Sequence, residues 1–236
     1  MSSRLEKRFS NGLSFIASFT HGRSIDLQNG ALDVCDGCGN NTVQNSYNRA
    51  AQKAVSDSNV AWRFTAGGLW QLPFGPGQAF LKQGLAGKLA GNWRMSGIYA
   101  VQPGVPFTVT LNFDNANAGT VSYPNRICGG NISNGTVQNW FNTGCFVSPA
   151  SYVFGNEGRN VLFGPGRNNI NWTLSRRFPI TLREGMGLEF RAEAYNLFNH
   201  PQFALPAAVA GNAGYAAINS TSVPNRQLQF ALRLEF

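Results

Sequence analysis

The cysteines and histidines are the first residues of this chain to consider for chemistry, because such side chains bind metals and carry redox reactions. Cys35 and Cys38 are separated by two residues, the spacing of a zinc knuckle or a dithiol redox motif. A second knuckle is missing, and His21 and His200 have no matching spacing. A redox motif would also need to open a helix after a strand, which the surrounding polar sequence does not predict. We therefore expect loop disulfides, as in proteins of oxidising compartments, with the pairing Cys35–Cys38 and Cys128–Cys145.

Carboxylates offer the second candidate chemistry. Glu189 and Glu193 would share one face of a strand and could supply an acid and a base. Arg191 lies between them on that face, which favours an ion-pair ladder over catalysis. Residues 114–119 suggest a calcium loop but lack its closing glutamate. The sequence has no complete phosphate-loop, zinc-peptidase, hydrolase or dinucleotide-binding motif. We expect no enzymatic activity, no metal and no cofactor.

The elements that position these residues are predicted to be strands, and the final segment shows the pattern best. Its side chains alternate between apolar and polar over about ten positions. Because successive side chains of a strand point to opposite faces, the segment has one apolar and one polar face. A strand between lipid and a polar lumen requires this division. The apolar positions are Leu228, Phe230, Leu232, Leu234 and Phe236, and the others are Gln227, Gln229, Ala231, Arg233 and Glu235.

Similar alternation recurs in five earlier segments, which are residues 13–20, 60–72, 92–102, 170–178 and 188–195. Most are longer than the ~5–6 residues of a typical soluble strand and approach the length of a tilted membrane strand. Charged residues make up only 13% of the chain and aromatic residues 12%. No apolar run reaches the ~18 residues of a membrane-spanning helix. Any membrane crossing is therefore predicted to use strands.

The connections between these segments alternate between short and long. Asn11 and Gly12 predict a tight hairpin between residues 4–9 and 13–20. We expect residues 105–111 to extend a strand or form a small hairpin. We expect no convincing helix, and the nearest candidate is residues 78–89. The connection 73–88 is moderate in length and 181–185 is short, whereas the long polar ones are 21–58, 103–167 and 199–224. This order places short turns at one end of a sheet and long loops at the other, as in outer-membrane barrels.

The predicted fold class is all-β: an antiparallel transmembrane β-barrel, forming a partial barrel of about seven or eight long meander strands with long extracellular loops. The charges of the polar face would line the lumen, and they are Arg63, Arg94, Arg177, Glu189, Arg191, Glu193 and Arg233. The excess of 19 Lys and Arg over 11 Asp and Glu forms no basic cluster, so we expect no nucleic acid partner. A soluble β-sandwich with one solvated face is the competing interpretation of the alternation.

Five stretches resemble the carboxy-terminal barrel region of TonB-dependent outer-membrane receptors, in particular the Oar-like transporters. They are residues 4–15, 62–75, 92–107, 190–203 and 225–236. The resemblance covers nearly the whole chain and is most specific in the combination of residues 190–203 with the Phe-ended terminus. It implies energy-coupled uptake of a large solute through a barrel of roughly 22 strands, whose lumen is plugged by an amino-terminal domain.

On this resemblance, residues 1–236 are the carboxy-terminal part of such a barrel in an outer membrane of the Gram-negative type, with the plug and the amino-terminal strands absent. Residues 1–30 lack a secretory signal. We interpret the chain as the tail of a longer protein, with a cytosolic protein as the alternative. The expected partners are outer-membrane lipid and the barrel-assembly machinery, with the TonB complex contacted only through the missing amino-terminal part. The assembly machinery would read Leu228, Phe230, Leu232, Leu234 and Phe236 of the terminal strand.

Two other functions stay open at this point. One is a free-standing small outer-membrane barrel of about eight strands, acting as a pore or an adhesin. The other is a soluble secreted β-sandwich that binds carbohydrate through aromatic and Asn-rich loops. Channel conductance of the isolated chain in a bilayer would favour the first of these, and a monodisperse monomer in buffer without detergent would favour the second.

Overall fold

The computed structural model describes residues 1–27, 43–45, 47–180 and 186–236. Its main element is a seven-stranded antiparallel sheet in which strands that follow each other in the chain are neighbours. The strands are β1 (Ser2–Ser10), β2 (Leu13–His21), β3 (Trp62–Gln71), β4 (Trp93–Gln102), β5 (Arg167–Pro179), β6 (Gly187–Tyr195) and β7 (Gln227–Glu235). The predicted all-β antiparallel fold is confirmed, and the alternation locates each strand to within a few residues.

The first hairpin has the tight turn that its sequence predicts. Ser10 pairs with Leu13, so only Asn11 and Gly12 lie between the strands. Their φ angles are 52° and 75°. Two successive residues in the left-handed region define the turn whose twist matches that of the flanking strands, and Asn-Gly is its preferred sequence. A Cβ atom at Gly12 would also lie 3.1 Å from the carbonyl oxygen of Gln71 on β3.

The connections separate the two ends of the sheet. At the short-turn end, the connections are Asn11 and Gly12 and residues 72–92, and the backbone of Ile180 donates to the carbonyl of Met186 at 3.0 Å. The predicted turn at 181–185 lies outside the described residues. At the long-loop end, residues 22–61, 103–166 and 196–226 connect the strands. The rhythm of short and long connections is therefore present in the fold.

The strand register divides the sheet into two unlike faces. Paired residues of neighbouring antiparallel strands lie on the same face. Leu174 pairs with Met95 on one side and Ala192 on the other, which continues one apolar row across three strands. Rings pack along this apolar face, including Phe64 with Tyr99 at 6.1 Å and Phe190 with Phe230 at 6.4 Å between centroids. The alternate positions form the polar face.

The sheet is a single layer in the described part of the chain. Phe230 and Leu232 of the apolar face are 68% and 69% exposed, so no second sheet covers them as a β-sandwich would require. β1 and β7 lie at opposite edges, and neither has a partner strand on its outer side among the described residues. The sheet therefore has the two unlike faces of a barrel wall but stays open.

Two expectations about local structure were wrong. A helix, α1, spans Gly84–Ala90 where none was expected. Residues 105–111 neither extend β4 nor form a hairpin, because they pair with distant segments at the long-loop end. Pro106–Phe107 pairs with Leu162–Phe163, and Thr110–Leu111 runs parallel to Val209–Ala210. Within the described ranges, no helix is long and apolar enough to span a membrane.

The long-loop end contains the remaining regular elements of the described chain. Three short antiparallel pairs join Ile25–Asp26 to Ala54–Val55, Asn125–Arg126 to Phe146–Val147, and Gln202–Phe203 to Thr221–Val223. The 3-10 turns are Arg49–Gln52 and Thr143–Cys145. We call the assembly formed by the described residues within 22–61, 103–166 and 196–226 the loop cap.

Candidate functional site

The register brings the charged residues of the polar face together. Ser175 pairs with both Arg94 and Arg191, and Glu189 aligns with Arg177 and Arg233. The parity of the pairing places all seven predicted charges on this face, namely Arg63, Arg94, Arg177, Glu189, Arg191, Glu193 and Arg233. The structure thus places them on one face of the sheet.

Ion pairs organise part of this surface. Arg191 Nε lies 2.8 Å from Glu193 Oε1, and Arg177 Nε lies 3.2 Å from Glu235 Oε2. The Tyr195 hydroxyl donates to Glu193 at 2.9 Å. Glu193 is therefore held by both Arg191 and Tyr195 along β6. Ion pairs between solvent-exposed side chains each contribute only about 0–1 kcal/mol, and here the arginine of each pair is exposed.

One apolar row interrupts the polar face. Gly67 pairs with Ile16 on β2 and with Ile98 on β4. Ile98 is 62% exposed. These residues follow the strand parity of the polar face although their side chains are apolar. In this row, strand parity places the side chains on the polar face, whereas their hydrophobicity would place them on the apolar face. Labels at these positions can therefore test which face meets lipid.

The loop cap has the main buried apolar core of the described residues. Phe107, Val109, Phe141, Phe146 and Leu162 are buried together with Cys145 and Ala216. Phe141 is central, with ring contacts to Phe107, Phe146 and Tyr215 at 5.3–5.7 Å. Cys145 forms a disulfide with Cys128, the pairing expected from the sequence. Cys35 and Cys38 lie outside the described residues. The cap is thus a folded unit and not a set of separate loops.

Buried amides and one guanidinium connect the segments of the cap. The Gln44 side chain donates to the carbonyl of Gly155 at 3.0 Å and accepts from the backbone of Tyr123 at 2.8 Å. Asn160 donates to the carbonyl of Val55 at 2.7 Å and exchanges two hydrogen bonds with Thr108. These bonds join residues 43–61 to residues 103–166, far apart in the chain.

Arg159 is the principal charged link in the cap. Its side chain is only 6% exposed and contacts the carboxylates of Asp26 and Asp57, the second at 3.6 Å. Its Nε also donates to the carbonyl of Gln52 at 3.3 Å. A buried cation held by two carboxylates and a carbonyl is compensated, whereas each partner alone would be strongly unfavourable in this environment.

Glu157 has a different environment from the compensated Arg159 cluster. Neither its carboxyl oxygens nor the Tyr215 hydroxyl has a hydrogen-bond partner among the described residues. Burial raises the pKa of Glu157 from its ordinary value of 4.5 to about 7, against the opposing effect of the Arg126 charge. Burial, with a smaller effect of Glu157, raises the pKa of Tyr215 to about 12. Glu157 therefore favours its neutral form when the cap is folded.

A Glu157→Gln variant is expected to remove a pH dependence of cap stability. In the wild type the pKa of Glu157 is higher in the folded than in the unfolded cap. Its contribution to cap stability is therefore full below about pH 4.5 and is lost as the pH rises to about 7. Glutamine does not titrate, so the variant's hydrogen exchange in the cap should not show this step. Two results would contradict this role of Glu157. One is a wild-type cap that becomes better protected from hydrogen exchange between these pH values, and the other is a variant that keeps the same pH dependence.

A cleft of about 380 Å³ opens on the surface of the cap. Asn131, Ser133 and Asn134 line it with polar groups, and Trp140 and Phe163 line it with aromatic rings. Trp140 is held in place because its indole Nε1 donates to the Phe163 carbonyl at 2.9 Å. The lining contains no charged side chain. Chemically, such a cleft suits a neutral group that offers hydrogen bonds and an apolar face.

The candidate metal loop has a structural explanation in the described chain. Asp114 accepts from the backbone of Gly119 at 2.7 Å, and the Ser122 hydroxyl donates to it at 3.3 Å. The Gly119 bond is the leading cause that lowers the pKa of Asp114. Among the described residues, no three His, Cys, Asp or Glu side chains form a metal-binding group. His200 is likewise part of a turn, in which its backbone N–H donates to the Asn196 side chain at 3.0 Å.

The sheet is an antiparallel wall with one apolar and one polar face, and its long loops lie at one end. Outer-membrane barrels are built in this way. A family model for the outer membrane beta barrel domain matches residues 1–229. The chain belongs to this family. It is an outer-membrane β-barrel protein, and the predicted localisation is confirmed. No curated protein and no solved structure matches the chain. In barrels of this kind the apolar face contacts lipid, the short turns are periplasmic and the long loops are extracellular.

The sequence did not predict the polar clusters of the loop cap. Arg159 and Glu157 stand in an irregular, polar stretch with no periodicity, so no local pattern marks them as buried. The weak available signal was the density of Asn, Gln and Gly in residues 103–167, since side-chain amides often replace backbone partners in irregular structure. The structure adds these residues to the predicted polar-face charges.

Proposed function

We propose that this barrel domain is the carboxy-terminal part of the barrel of a TonB-dependent outer-membrane transporter of the Oar-like type, which takes up a large solute in an energy-coupled way. The supporting observation is the open sheet, with outer edges on β1 and β7 that have no partner strand among the described residues. Lipid cannot satisfy unpaired backbone groups. On this proposal, further strands complete the wall, as in a barrel of roughly 22 strands with a plugged lumen.

The same observation disfavours the two alternative functions. A free-standing pore or adhesin would close by pairing its first and last strands, yet β1 and β7 lie at opposite edges of the sheet. Bacterial single-chain barrels also have at least about eight strands. A soluble carbohydrate-binding sandwich would cover the apolar face with a second layer, and the exposed Phe230 and Leu232 have no such cover in the described chain.

Within the proposed transporter, the polar face forms part of the lumen wall and the loop cap meets solute on the extracellular side. The cleft next to Trp140 and Phe163 is the proposed point of first contact, since it is preformed and uncharged. The role of the domain is non-catalytic. The TonB complex would be engaged only by an amino-terminal part of the transporter, and the outer-membrane lipid by the apolar face.

Cross-linking in cells tests this proposal. The gene product that contains this domain should be cross-linked to TonB when the energised complex is present, and the cross-link should be lost in a strain without TonB. The alternative function predicts a different result, namely a product no longer than 236 residues that conducts ions in a planar bilayer without TonB. That second result would overturn the transporter proposal.

Deletion of Phe236 is expected to impair insertion of the protein into the outer membrane. The strand β7 is the proposed signal for the barrel-assembly machinery, because an exposed strand edge can pair with another sheet while its alternating side chains set the register. Phe236 is 89% exposed, so its loss removes no internal packing in the described structure. Pulse labelling with heat-modifiable mobility on gels measures the fraction assembled. If the deletion variant assembled as well as the wild type while a Leu232 variant did not, the signal would lie in the strand and not in Phe236.

A further inference from the structure

The connection at the short-turn end between β3 and β4, residues 72–92, is longer and more ordered than a turn between two strands requires. The backbone of Gly75 donates to Phe80 at 2.9 Å, Phe80 donates to Pro73 at 2.9 Å, and Asn92 donates to Phe74 at 3.1 Å. The chain is packed so closely that a Cβ atom on Gly91 would lie 2.8 Å from the Cα atom of Gly75. The segment is thus a built structure with α1 as its last element.

The carboxyl end of α1 is attached to the apolar face of the sheet. The carbonyl of Leu89 accepts from Trp93 Nε1 at 3.1 Å and from Arg176 Nη1 at 2.5 Å. Trp93 and Arg176 are paired across β4 and β5 on the parity of the apolar face. The Arg176 guanidinium also lies 4.4 Å from the ring centre of Phe178. These contacts fix α1 on the side of the wall that meets lipid.

The segment presents apolar side chains to its surroundings. Leu85 and Leu89 are 78% and 74% exposed, and they lie one helical turn apart, so they share one side of α1. Phe80 and Leu81 add two further exposed apolar side chains just before the helix. Water is a poor environment for four such side chains in one short segment.

Two observations point to phospholipid as the occupant of this surface. The first is continuity, because the segment adjoins the apolar face at the level of Trp93 and Trp70, and tryptophan rings favour the headgroup level of a bilayer. The second is charge, because residues 72–92 contain Lys82 and Lys88 but no Asp or Glu. A cationic, apolar segment at the membrane boundary complements phosphate headgroups above acyl chains.

We propose that residues 72–92 form an interfacial anchor, in which α1 lies in the boundary between headgroups and acyl chains of the leaflet at the short-turn end. Leu85 and Leu89 enter the acyl region, while Trp93 and Arg176 fix the helix against the barrel wall. The anchor sets the depth of the wall in the membrane. It follows from the outer-membrane fold and does not depend on TonB-coupled transport.

Spin labelling tests the anchor. A cysteine at Leu85 is labelled in the outer-membrane protein, in a background where Cys35 and Cys38 are serine and the Cys128–Cys145 disulfide is intact. The matched control label replaces Tyr152, which is 77% exposed in the loop cap. Collision rates with oxygen, which concentrates in lipid, and with a water-soluble nickel complex are measured in phospholipid proteoliposomes and in outer-membrane fragments.

The anchor predicts that the ratio of oxygen to nickel collisions is several-fold higher for the label at Leu85 than for the label at Tyr152, in both preparations. A substitution Leu89→Asp should lower that ratio by drawing α1 towards water. Equal ratios in proteoliposomes would overturn the proposal. If the label at Leu85 were shielded from nickel only in outer-membrane fragments, a protein and not lipid would be the occupant, which also overturns it.

Discussion

Replacing Leu232 with arginine is expected to lower the free energy of unfolding of the membrane-inserted protein by about 2–4 kcal/mol, the cost of a cation near the bilayer midplane on a barrel wall. Leu232 lies in the central part of β7, paired with Phe190, and points to the apolar face. Equilibrium unfolding from phospholipid vesicles by guanidinium chloride measures the change.

The neighbouring position provides the matched control. Ala231 pairs with Arg191 on the polar face, one residue from Leu232 at nearly the same depth. An Ala231→Arg variant adds the same side chain to the same strand and should change stability by much less. Equal losses for the two variants would show that β7 is not divided between lipid and water. A smaller loss for Leu232→Arg than for Ala231→Arg would reverse the assignment of the faces.

An Arg159→Met variant is expected to lower the stability of the loop cap by about 3–5 kcal/mol, the usual cost of removing one partner from a buried ion pair. The substitution keeps most of the side-chain volume but leaves Asp57 buried next to an apolar group. It also removes one of the links between residues 22–61 and 103–166, while those of Gln44 and Asn160 stay. Hydrogen exchange of the cap backbone, followed by mass spectrometry, measures the loss.

Arg49→Met is the control for this experiment. Arg49 lies in the same part of the cap, in the turn Arg49–Gln52, but is exposed. Its replacement should leave exchange in the cap almost unchanged, and neither variant should alter exchange in the membrane strands. A cap that keeps its wild-type protection in Arg159→Met would contradict the role of this cluster as the principal charged link between the segments.

The strands could be predicted from sequence because their two environments act on every side chain locally. In β7 each residue meets either lipid or water, so the choice at each position reveals its face without knowledge of any partner. The turn at Asn11 and Gly12 was equally local, since both residues tolerate positive φ angles. The strand order is the predicted meander, in which successive strands are neighbours.

The loop cap could not be predicted in this way because its contacts join residues far apart in the chain. Gln44 meets Gly155, and Arg159 meets Asp26, without any periodic pattern that marks these residues. The helix α1 was missed for a related reason. Gly84 and Gly87 lower intrinsic helix propensity, and the contacts that hold α1 come from Trp93 and from Arg176 on another strand.

The membrane wall and the loop cap are stabilised in different ways. The wall has little buried apolar core of its own in the described residues, since the core cluster lies in the cap. Lipid on one face takes the place of a second layer. The cap is held by its own core, disulfide and polar clusters, so its surface can be preformed without help from the membrane.

Side-chain accessibility along β4 tests the central claim most directly. Ile98 and Tyr99 are neighbours in this strand, and their pairing places Ile98 on the polar face and Tyr99 on the apolar face. Hydrophobicity alone would send isoleucine to lipid at least as readily as tyrosine. Spin labels at positions 95–100 in the membrane-inserted protein should therefore alternate, with the label at Ile98 more accessible to aqueous nickel and the label at Tyr99 more accessible to oxygen. Two labels with the same preference for oxygen would contradict a wall with lipid on one face and water on the other.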